Sequence, residues 1–472
     1  MKKIILVIPV LSLHFGCVRD SKIQERALYE VAPATWSSAT SPGNQSSENN
    51  QTFWVEHFPD PALSQAIRKA WISNPSLLAM AERVLASGED VIVAGAILYP
   101  NAKADLSSSR SKRNLIGFNF PNGETSFTSK SFNAGINLSW ELDLWGKLKD
   151  RRNSAKMRFK GTQAEFSAAR LSLAGQIAKA WYEIIESEGQ LRIARNTSVT
   201  YSQNQAFIQD RFEKGLASAL DNDLAKTTLS SAKANLARRN RFHQVSIRNL
   251  QLLLGEYPDG LLDRNNSENL PLLDSASISS SPAETLERRP DMKAAKLEVE
   301  ASGIDVGVSQ KSLLPSISIA GGPGSRSGEF ENLLEQRFRI WDVTGAVSQP
   351  LFQAGRLRAQ IRKAKALRDA AVKNFKATAL QAFFEVENSL SGEKLIEEEE
   401  AQLEKATKAA ESAAKLSWDR YQRGVEGIFN TLEAQRRAFE AESRLLSVRK
   451  ERILNRINLY LALGMNALPE KP

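Results

Sequence analysis

The sequence is poor in the residues that most enzymes and metal proteins use. In 472 residues it has one cysteine, three histidines and five methionines. A single thiol excludes a disulfide-stabilised fold. The three histidines, His14, His57 and His243, are far apart in the chain, so they indicate neither a zinc site nor a Cys/His catalytic pair.

Long apolar runs are also missing. The mean hydropathy is −0.35, whereas each membrane-spanning helix needs about 20 mostly apolar residues. A polytopic helical membrane protein is therefore excluded. Hydrophobic residues still make up 42% of the chain, which argues against intrinsic disorder. The length suggests about three domains, or fewer if one architecture is long or repeated.

The start of the chain has the pattern of an export signal. Met1 to Lys3 is cationic and Ile4 to Leu13 is apolar. About ten apolar residues are too few to span a bilayer but are typical of a secretory signal peptide. Cys17 follows Gly16 and resembles the lipobox of bacterial lipoproteins, in which cleavage leaves a lipidated cysteine as the first residue. We therefore predict a signal peptide over 1–16 and a lipid such as palmitate on Cys17.

One position departs from the lipobox. His14 stands three residues before the cysteine, where an aliphatic residue is usual, so an ordinary cleaved signal with an incidental free thiol is the alternative. Residues 17–52 are predicted to be a tether. The reason is that Ser37 to Thr52 is polar, rich in serine and asparagine, and without an apolar period.

The rest of the chain contains two copies of one sequence pattern. Pro75 and Pro290, each of which opens an alanine-rich helical stretch, are 215 residues apart. Further on, the runs Asp210–Gly215 and Asp419–Gly424 match at a spacing of 209. We therefore predict two structural repeats over 53–260 and 286–466, with a linker at 261–285 and a tail at 467–472.

Each repeat has one stretch with the period of a β-strand. Apolar and polar residues alternate from Phe132 to Leu144, and the alternation returns from Trp341 to Ser348. Each stretch has a predicted partner strand, Ala102–Arg110 in the first repeat and Ser316–Ala320 in the second. The sequence therefore predicts β-hairpins at 100–145 and 315–352, and four strands per chain.

Glycine-rich segments lie between the predicted strands. Polar loops are predicted at Pro121–Gly123 and at Gly324–Gly328. The run Gly321–Gly324 superficially resembles a phosphate-binding loop, but the Lys-Ser/Thr that should follow it is missing. We therefore predict that this run is a hairpin loop.

The segments around the hairpins have a helical period and few breaks. No proline occurs between Lys147 and Pro258, and the only early signal strong enough to turn the chain is around Gly215. We predict long helices at 147–214 and 356–423, each roughly 100 Å long, and shorter helices at Pro61–Ile97, 219–254 and 428–463. The predicted fold class is mainly α, with duplicated long antiparallel coiled-coil helices and a β-barrel contribution of four strands.

Four strands with one apolar face must pack on another element or close into a barrel. The predicted helices lie along a rod and do not cover that face, which suits lipid outside and water inside. The smallest single-chain barrels have about eight strands. Three copies would supply twelve strands, and the helical rods would continue the barrel as a tube. The alternative is a soluble four-stranded sheet packed on helices.

Several runs in the chain resemble the TolC/OprM-type outer-membrane efflux proteins, especially their lipoprotein branch. Together, and in this order, the runs are specific. The resemblance implies a trimer with a twelve-stranded barrel in the outer membrane, a long periplasmic α-barrel, and docking to a periplasmic adaptor that leads to an inner-membrane pump. The runs are SWELDLWGKLKDR (139–151), ERRPDMKAA (287–295), LLPSISIAGG (313–322), QPLFQAGRLRA (349–359), AFFEVENSL (382–390), RYQRG (420–424) and LYLALG (459–464).

The resemblance also points to candidate functional residues. It implies that the helix-to-helix turns form a periplasmic tip that docks the adaptor, although glycine there could serve the turn alone. It implies that charges just inside the turns constrict a closed gate, or are solvated rim charges. The polar strand faces would line the barrel lumen. The residues are Gly215, Leu216, Gly424 and Val425 for docking, Asp210, Arg211, Asp419 and Arg420 for the gate, and Asn133, Asn137 and Glu141 for the lumen.

The predicted function is a passive exit duct, not an enzyme and without a cofactor or metal, that exports drugs or other small molecules. The predicted partners are two further copies of the chain, outer-membrane lipid, a periplasmic adaptor and an RND-type pump rather than an ABC exporter. One alternative is the channel of a type I protein secretion system. The other is a periplasmic coiled-coil adaptor or scaffold, but adaptors should carry a lipoyl-like β domain.

The net charge of +9 raises the question of nucleic acid binding. Basic clusters occur at Lys147–Arg152 and Arg238–Arg241, but they fall on helical stretches without interleaved aromatic residues, and Glu397–Glu400 is acidic. These features favour a solvated helix face, and no nucleic acid partner is predicted.

Overall fold

The computed structural model describes residues 33, 35–38, 53–58, 60–114, 126–262, 269–274 and 281–469. The predicted signal peptide, the lipidation site Cys17, most of the tether and the predicted loop Pro121–Gly123 lie outside the described residues.

The described elements follow one order twice. The first round is α1 (Pro61–Ser73), α2 (Pro75–Ala96), β1 (Asn101–Asn114), β2 (Ser126–Leu142), α3 (Lys147–Glu213) and α4 (Ala219–Leu253). The second is α5 (Pro282–Arg288), α6 (Pro290–Lys311), β3 (Ser316–Ser327), β4 (Arg339–Ser348), α7 (Arg356–Gln422) and α8 (Ile428–Ala462). Short 3-10 turns lie at Trp54–His57, Phe330–Leu334 and Gln336–Phe338. The prediction of a mainly helical chain with four strands is confirmed.

The long helices set the length of the molecule. Both α3 and α7 have 67 residues, which corresponds to roughly 100 Å. Near the sheet, neighbouring helices pack in the order α2, α3, α6, α7, and beyond the middle they pack in the order α4, α3, α8, α7. The helices therefore form a wall four helices wide, with α2 and α4 at one edge and α7 at the other. Within the described residues, none of the helices is both long and apolar enough to cross a bilayer.

The strands form one antiparallel sheet at the end of this wall, in the order β1-β2-β3-β4. The link from β2 to α3 is tight. Gly146 has a φ of 69°, and the Asp143 carboxylate accepts hydrogen bonds from the N–H groups of Leu148 and Lys149 at 2.9 and 2.8 Å. Because these bonds satisfy free N–H groups at the helix start, the sheet and α3 are joined with a fixed geometry.

A large core lies near the middle of the wall. It includes the fully buried side chains of Trp54, Ile67, Ile177, Tyr182 and Ile453 from α1, α3, α8 and the first 3-10 turn. Glycine in α3 makes room for leucine from α8, since a Cβ at Gly175 would collide with Leu461. The close approach of α3 and α8 therefore depends on a small residue, which ties the two repeats together.

Buried ion pairs hold α7 against α8. Arg452 is bonded to Glu397 at 2.7 Å and to Glu400 at 3.0 Å, and Arg456 is bonded to Glu393. Arg452, Arg456, Glu393 and Glu400 are all buried. Removing one partner would leave an uncompensated buried charge, so this network fixes which residues of the two helices face each other.

The predicted single helix Pro61–Ile97 is wrong, because the chain breaks at Asn74. A residue before proline is disfavoured in the helical conformation, and Asn74 is extended, with φ −69° and ψ 117°. Its side chain then caps α2 by accepting a hydrogen bond from the Leu77 N–H at 3.0 Å. The predicted linker 261–285 is also too long, since α5 begins at Pro282.

The predicted loop at Gly321–Gly324 is wrong as well, because β3 continues through it to Ser327. The glycines are needed for close approach of neighbouring strands. A Cβ at Gly322 would collide with the carbonyl oxygen of Ile136 on β2, and one at Gly321 would collide with that of Asp342 on β4. The connection between β3 and β4 is instead made by the two 3-10 turns after residue 328.

Gly322→Ala should therefore destabilise the sheet, because the added methyl group must push backbone apart. We expect a cost of about 1–3 kcal/mol and a lower midpoint of thermal unfolding. The matched control is Gly345→Ala on β4, where a Cβ would meet no atom within 4 Å. Equal midpoints for the two variants would contradict this account.

Candidate functional site

One face of the sheet is polar and internally hydrogen-bonded. Asn137 donates to the Asp105 carboxylate at 2.7 Å, and Arg326 donates to the side-chain oxygen of Asn133 at 2.6 Å. Glu141 accepts a hydrogen bond from Lys147 at 2.5 Å. The three predicted lumen residues, Asn133, Asn137 and Glu141, therefore share one face, and each is bonded to a charged side chain from another element.

The opposite face is apolar, and it is uncovered except at its far end, where Phe330 of the β3–β4 connection packs on Phe132. Strand alternation places Leu106, Ile136, Leu138, Trp341 and Val347 on it. All of these side chains are exposed, Trp341 by 79% and Val347 by 71%. Such a continuous apolar surface on a folded chain marks an interaction site.

The sheet also has two open edges. β1 is paired only with β2, and β4 only with β3, among the described strands. β1 has 14 residues and β4 has 10, and every residue of both strands is exposed. Long unpaired edges of this kind are templates for another strand.

Two helix-to-helix turns lie at the other end of the wall, and both have the same backbone geometry. The φ angles of Gly215 and Gly424 are 72° and 76°. The Leu216 N–H donates to the Arg211 carbonyl at 2.7 Å, and the Val425 N–H donates to the Arg420 carbonyl at 3.1 Å. These are Schellman turns, in which glycine is preferred because of its positive φ. A Cβ at either glycine would have open space around it.

The turns present apolar side chains to solvent. Leu216 and Val425, predicted as docking residues, are each 64% exposed. Phe212, Leu220 and Phe429 on the adjoining helices are exposed too. The structure therefore brings both predicted turns to one end of the wall and surrounds them with an apolar patch.

The gate candidates have contacts that differ between the two repeats. Asp210 pairs with Lys214 on its own helix at 2.7 Å, and Arg420 lies 3.6 Å from Glu426 in its own turn. Asp419 is half-buried. Arg211, by contrast, connects the helical hairpin α3–α4 to the helical hairpin α7–α8. Its guanidinium lies 5.8 Å from the ring centre of Phe207 on its own helix and 5.7 Å from that of Tyr421 on α7.

Sequence reasoning missed the aromatic partners of Arg211. Phe207, Trp418 and Tyr421 form a cluster, with ring centres 5.7 Å apart for Phe207–Trp418 and for Trp418–Tyr421. Burial raises the pKa of Tyr421, although Arg211 acts in the opposite direction. The Nε of Arg211 has no hydrogen-bond partner among the described residues, so the rings are its main contact. The i, i+3 spacing of Trp418 and Tyr421 was the available signal.

The predicted tether also contains a contact that the sequence did not reveal. Trp36 is buried and packs edge-on against Phe383 of α7, with ring centres 6.0 Å apart. The N–H groups of Ser37 and Ser38 donate to the Glu387 carboxylate at 2.7 and 2.9 Å. The described residues 36–38 of the predicted tether are therefore held against α7.

An amphipathic sheet with open edges, continued by a helical wall of this length, is the architecture of an outer-membrane channel protein. The chain belongs to the outer membrane efflux protein family, whose model matches residues 66–256 and 282–465, one segment in each repeat. The predicted resemblance is thereby confirmed. The family is one of efflux channels rather than enzymes, and the protein is placed in the outer membrane with its helices extending into the periplasm.

Individual relatives match along nearly the whole chain. Outer membrane protein OprJ of Pseudomonas aeruginosa is 27% identical over 456 residues, which cover 96% of this chain and 94% of that protein. Cation efflux system protein CusC of Escherichia coli is 26% identical over 412 residues and 87% of each chain. A membrane protein crystal structure from P. aeruginosa is 26% identical and superposes with a TM-score of 0.82, covering 92% of this chain and 97% of that one.

Arg211 and Arg420 occupy equivalent positions in the two repeats and allow a matched test. Arg211→Ala removes the cation–π contact with Tyr421 of the other helical hairpin, worth about 0.5–2 kcal/mol, so hydrogen–deuterium exchange at both turns should accelerate roughly two- to thirtyfold. Arg420→Ala removes only an exposed ion pair and should leave the first turn unchanged. Identical exchange in the two variants would show that Arg211 does not connect the hairpins.

Proposed function

We propose that three copies of this chain form a channel that acts as the passive exit duct of a tripartite efflux system for drugs or other small molecules. The observation that carries the proposal is the incomplete sheet, which has four strands, two open edges and one uncovered apolar face. In lipid every backbone polar group needs a partner, so such a sheet must close on itself.

Closure needs further strands of the same kind. The smallest membrane barrels have about eight strands, whereas one chain supplies four. Three copies give twelve, with β4 of each copy beside β1 of the next, so that no edge stays open. The apolar face then meets lipid, and Asn133, Asn137 and Glu141 line the water-filled lumen.

The helical wall supports the same ring. Its α7 edge exposes Leu380, Phe384 and Leu395, each by about three-fifths of its surface, and its opposite edge exposes Ile92 and Val93 on α2. In a ring of three copies, α7 of one copy packs beside α2 and α4 of the next and covers these side chains. The same closure that completes the sheet thus completes the wall.

The turns supply the docking surface for a periplasmic adaptor. Gly215, Leu216, Gly424 and Val425 lie at the end farthest from the sheet, within the apolar patch. Relatives with names such as antibiotic efflux pump outer membrane protein ArpC of Pseudomonas putida support an efflux partner. The lipoprotein-like start favours an RND-type pump over an ABC exporter.

A lipid on Cys17 is compatible with the packing of Trp36 against α7, because the chain between them is long enough. About 19 residues separate Cys17 from Trp36, and a fully extended segment of that length reaches roughly 65 Å. Glu387 lies 31 residues into α7, which is roughly 47 Å from the sheet end. The segment is therefore long enough for the modified cysteine to reach the membrane.

The lipid-facing assignment predicts a difference between neighbouring residues of β4. Val343→Arg places a charge on the apolar face and should cost about 2–4 kcal/mol near the bilayer midplane. Thr344→Arg, the matched control, places the same charge on the polar face and should be tolerated. The measurement is the fraction of trimer after detergent extraction, by native mass spectrometry.

Loss of trimer in both variants, or in neither, would contradict the assignment of Val343 to the lipid-facing side and Thr344 to the lumen-facing side of β4. A wild-type protein that is monomeric and needs no detergent would overturn the channel itself and favour a periplasmic scaffold.

We assign the closed gate to the inner side of the turns, through Asp210, Asp419 and the Arg211–Tyr421 contact. Asp210→Ala and Asp419→Ala should raise single-channel conductance and weaken cation preference in planar bilayers, because each removes one carboxylate per subunit from the aperture. The control is Asp223→Ala on α4, whose exposed carboxylate lies 3.6 Å from Lys226. If conductance and selectivity match wild type, the gate is elsewhere.

A further inference from the structure

The apolar face of the sheet becomes basic at the end far from the helices. On β1 the face runs from Ala102 through Leu106 to Arg110 and Lys112, and on β2 it ends with Phe132 and then Lys130. All three cationic side chains are exposed. We call Arg110, Lys112 and Lys130 the basic rim.

The rim concentrates charge of one sign. Arg110 is paired directly across from Lys130 in the β1–β2 register, and like charges opposite each other destabilise a sheet. The acidic residues of the four strands, Asp105, Glu141 and Asp342, are all on the opposite face by alternation. Among the described residues, no ion pair or side-chain hydrogen bond involves the rim.

The carboxylates of the β3–β4 connection form no described ion pair with the rim. Glu335 pairs with Arg337 at 2.6 Å, Glu329 accepts a hydrogen bond from the Asn332 amide at 3.2 Å, and Glu331 is exposed. An external anion bound at the rim would relieve the repulsion between Arg110 and Lys130.

The height of the rim matches a lipid head-group layer. Arg110 is nine residues from the helix-proximal end of β1, or roughly 30 Å of strand, which rises roughly 23 Å at a tilt of about 40°. The apolar band of a membrane barrel is about 25 Å tall and ends in aromatic residues. Here Phe132 and Phe330 stack edge to face, 5.9 Å apart, just below the rim.

We propose that the basic rim binds phosphate groups of phosphorylated glycolipid in the outer leaflet, the lipopolysaccharide class. The inference rests on the proposed function, because a closed barrel is what turns this face toward lipid. The helices extend into the periplasm, so the far end of the strands lies at the outer leaflet. Arginine and lysine both suit phosphate, arginine by forked hydrogen bonds and lysine as a point charge.

The test compares two doubly substituted trimers with equal charge. Arg110→Gln/Lys130→Gln removes two cations from the rim. Lys103→Gln/Arg113→Gln removes two from the polar face of the same hairpin, and Arg113 directly follows Lys112. Each trimer is titrated in detergent with lipopolysaccharide, with the same lipid after enzymatic dephosphorylation, and with inorganic phosphate, and bound lipid is counted by native mass spectrometry.

The wild type and the polar-face variant should bind phosphorylated lipid alike, and the rim variant should bind it about thirtyfold more weakly. Dephosphorylated lipid should bind all three trimers weakly, and inorganic phosphate should not bind measurably. If the rim variant binds phosphorylated lipid as well as the wild type, or if the polar-face variant loses as much binding, the lipid proposal is wrong. Intact trimers in those experiments would still support the proposed channel. A wild type that forms no trimer would overturn both.

Discussion

The main constraint on this structure is that the edge strands of its sheet have backbone hydrogen-bonding groups without partners. β1 and β4 each have a full edge of N–H and C=O groups with no other described strand beside it. In water such an edge is a hazard, and in lipid it costs several kcal/mol for each unsatisfied group. Because the described residues supply four strands, we propose that other copies of the chain meet this requirement. The uncovered apolar face and the exposed apolar side chains on both edges of the helical wall follow from the same requirement.

Duplication explains how one chain builds a wall of even height. The long helices have equal lengths, as do α4 and α8, and the two turns share one backbone geometry. The side chains at the turns nevertheless differ in their contacts. Arg211 reaches Tyr421 of the other hairpin, whereas the equivalent Arg420 stays within its own turn. The repeat therefore supplies the scaffold, and divergence between the copies supplies a contact that links them.

Much of this fold was predictable because the relevant signals are local. Helix length follows from the absence of proline between Lys147 and Gly215, and the strand faces follow from strict alternation around Leu138. The misses depended on contacts between distant residues. Gly322 looked like a turn residue, but it is needed because the backbone of β2 lies against it. Trp36 stood in a polar segment, and only the surface of α7 shows why it is there.

The candidate site also contains some residues that were predictable from local sequence and others that were not. The positions of Gly215 and Gly424 were evident, since only the chain turn has to be recognised. The partners of Arg211 were not, because a cation–π contact between two hairpins has no fixed spacing in sequence. The basic rim lies between these cases, since alternation gives its face but only the strand register brings Arg110 opposite Lys130.

Electron cryo-microscopy of the full chain in detergent or nanodiscs would show directly whether the sheet closes between copies. We expect three copies around a three-fold axis and a closed barrel of twelve strands, with β4 of each copy hydrogen-bonded to β1 of the next. A four-stranded sheet that stays open, or whose apolar face is covered by another part of the same chain, would contradict it.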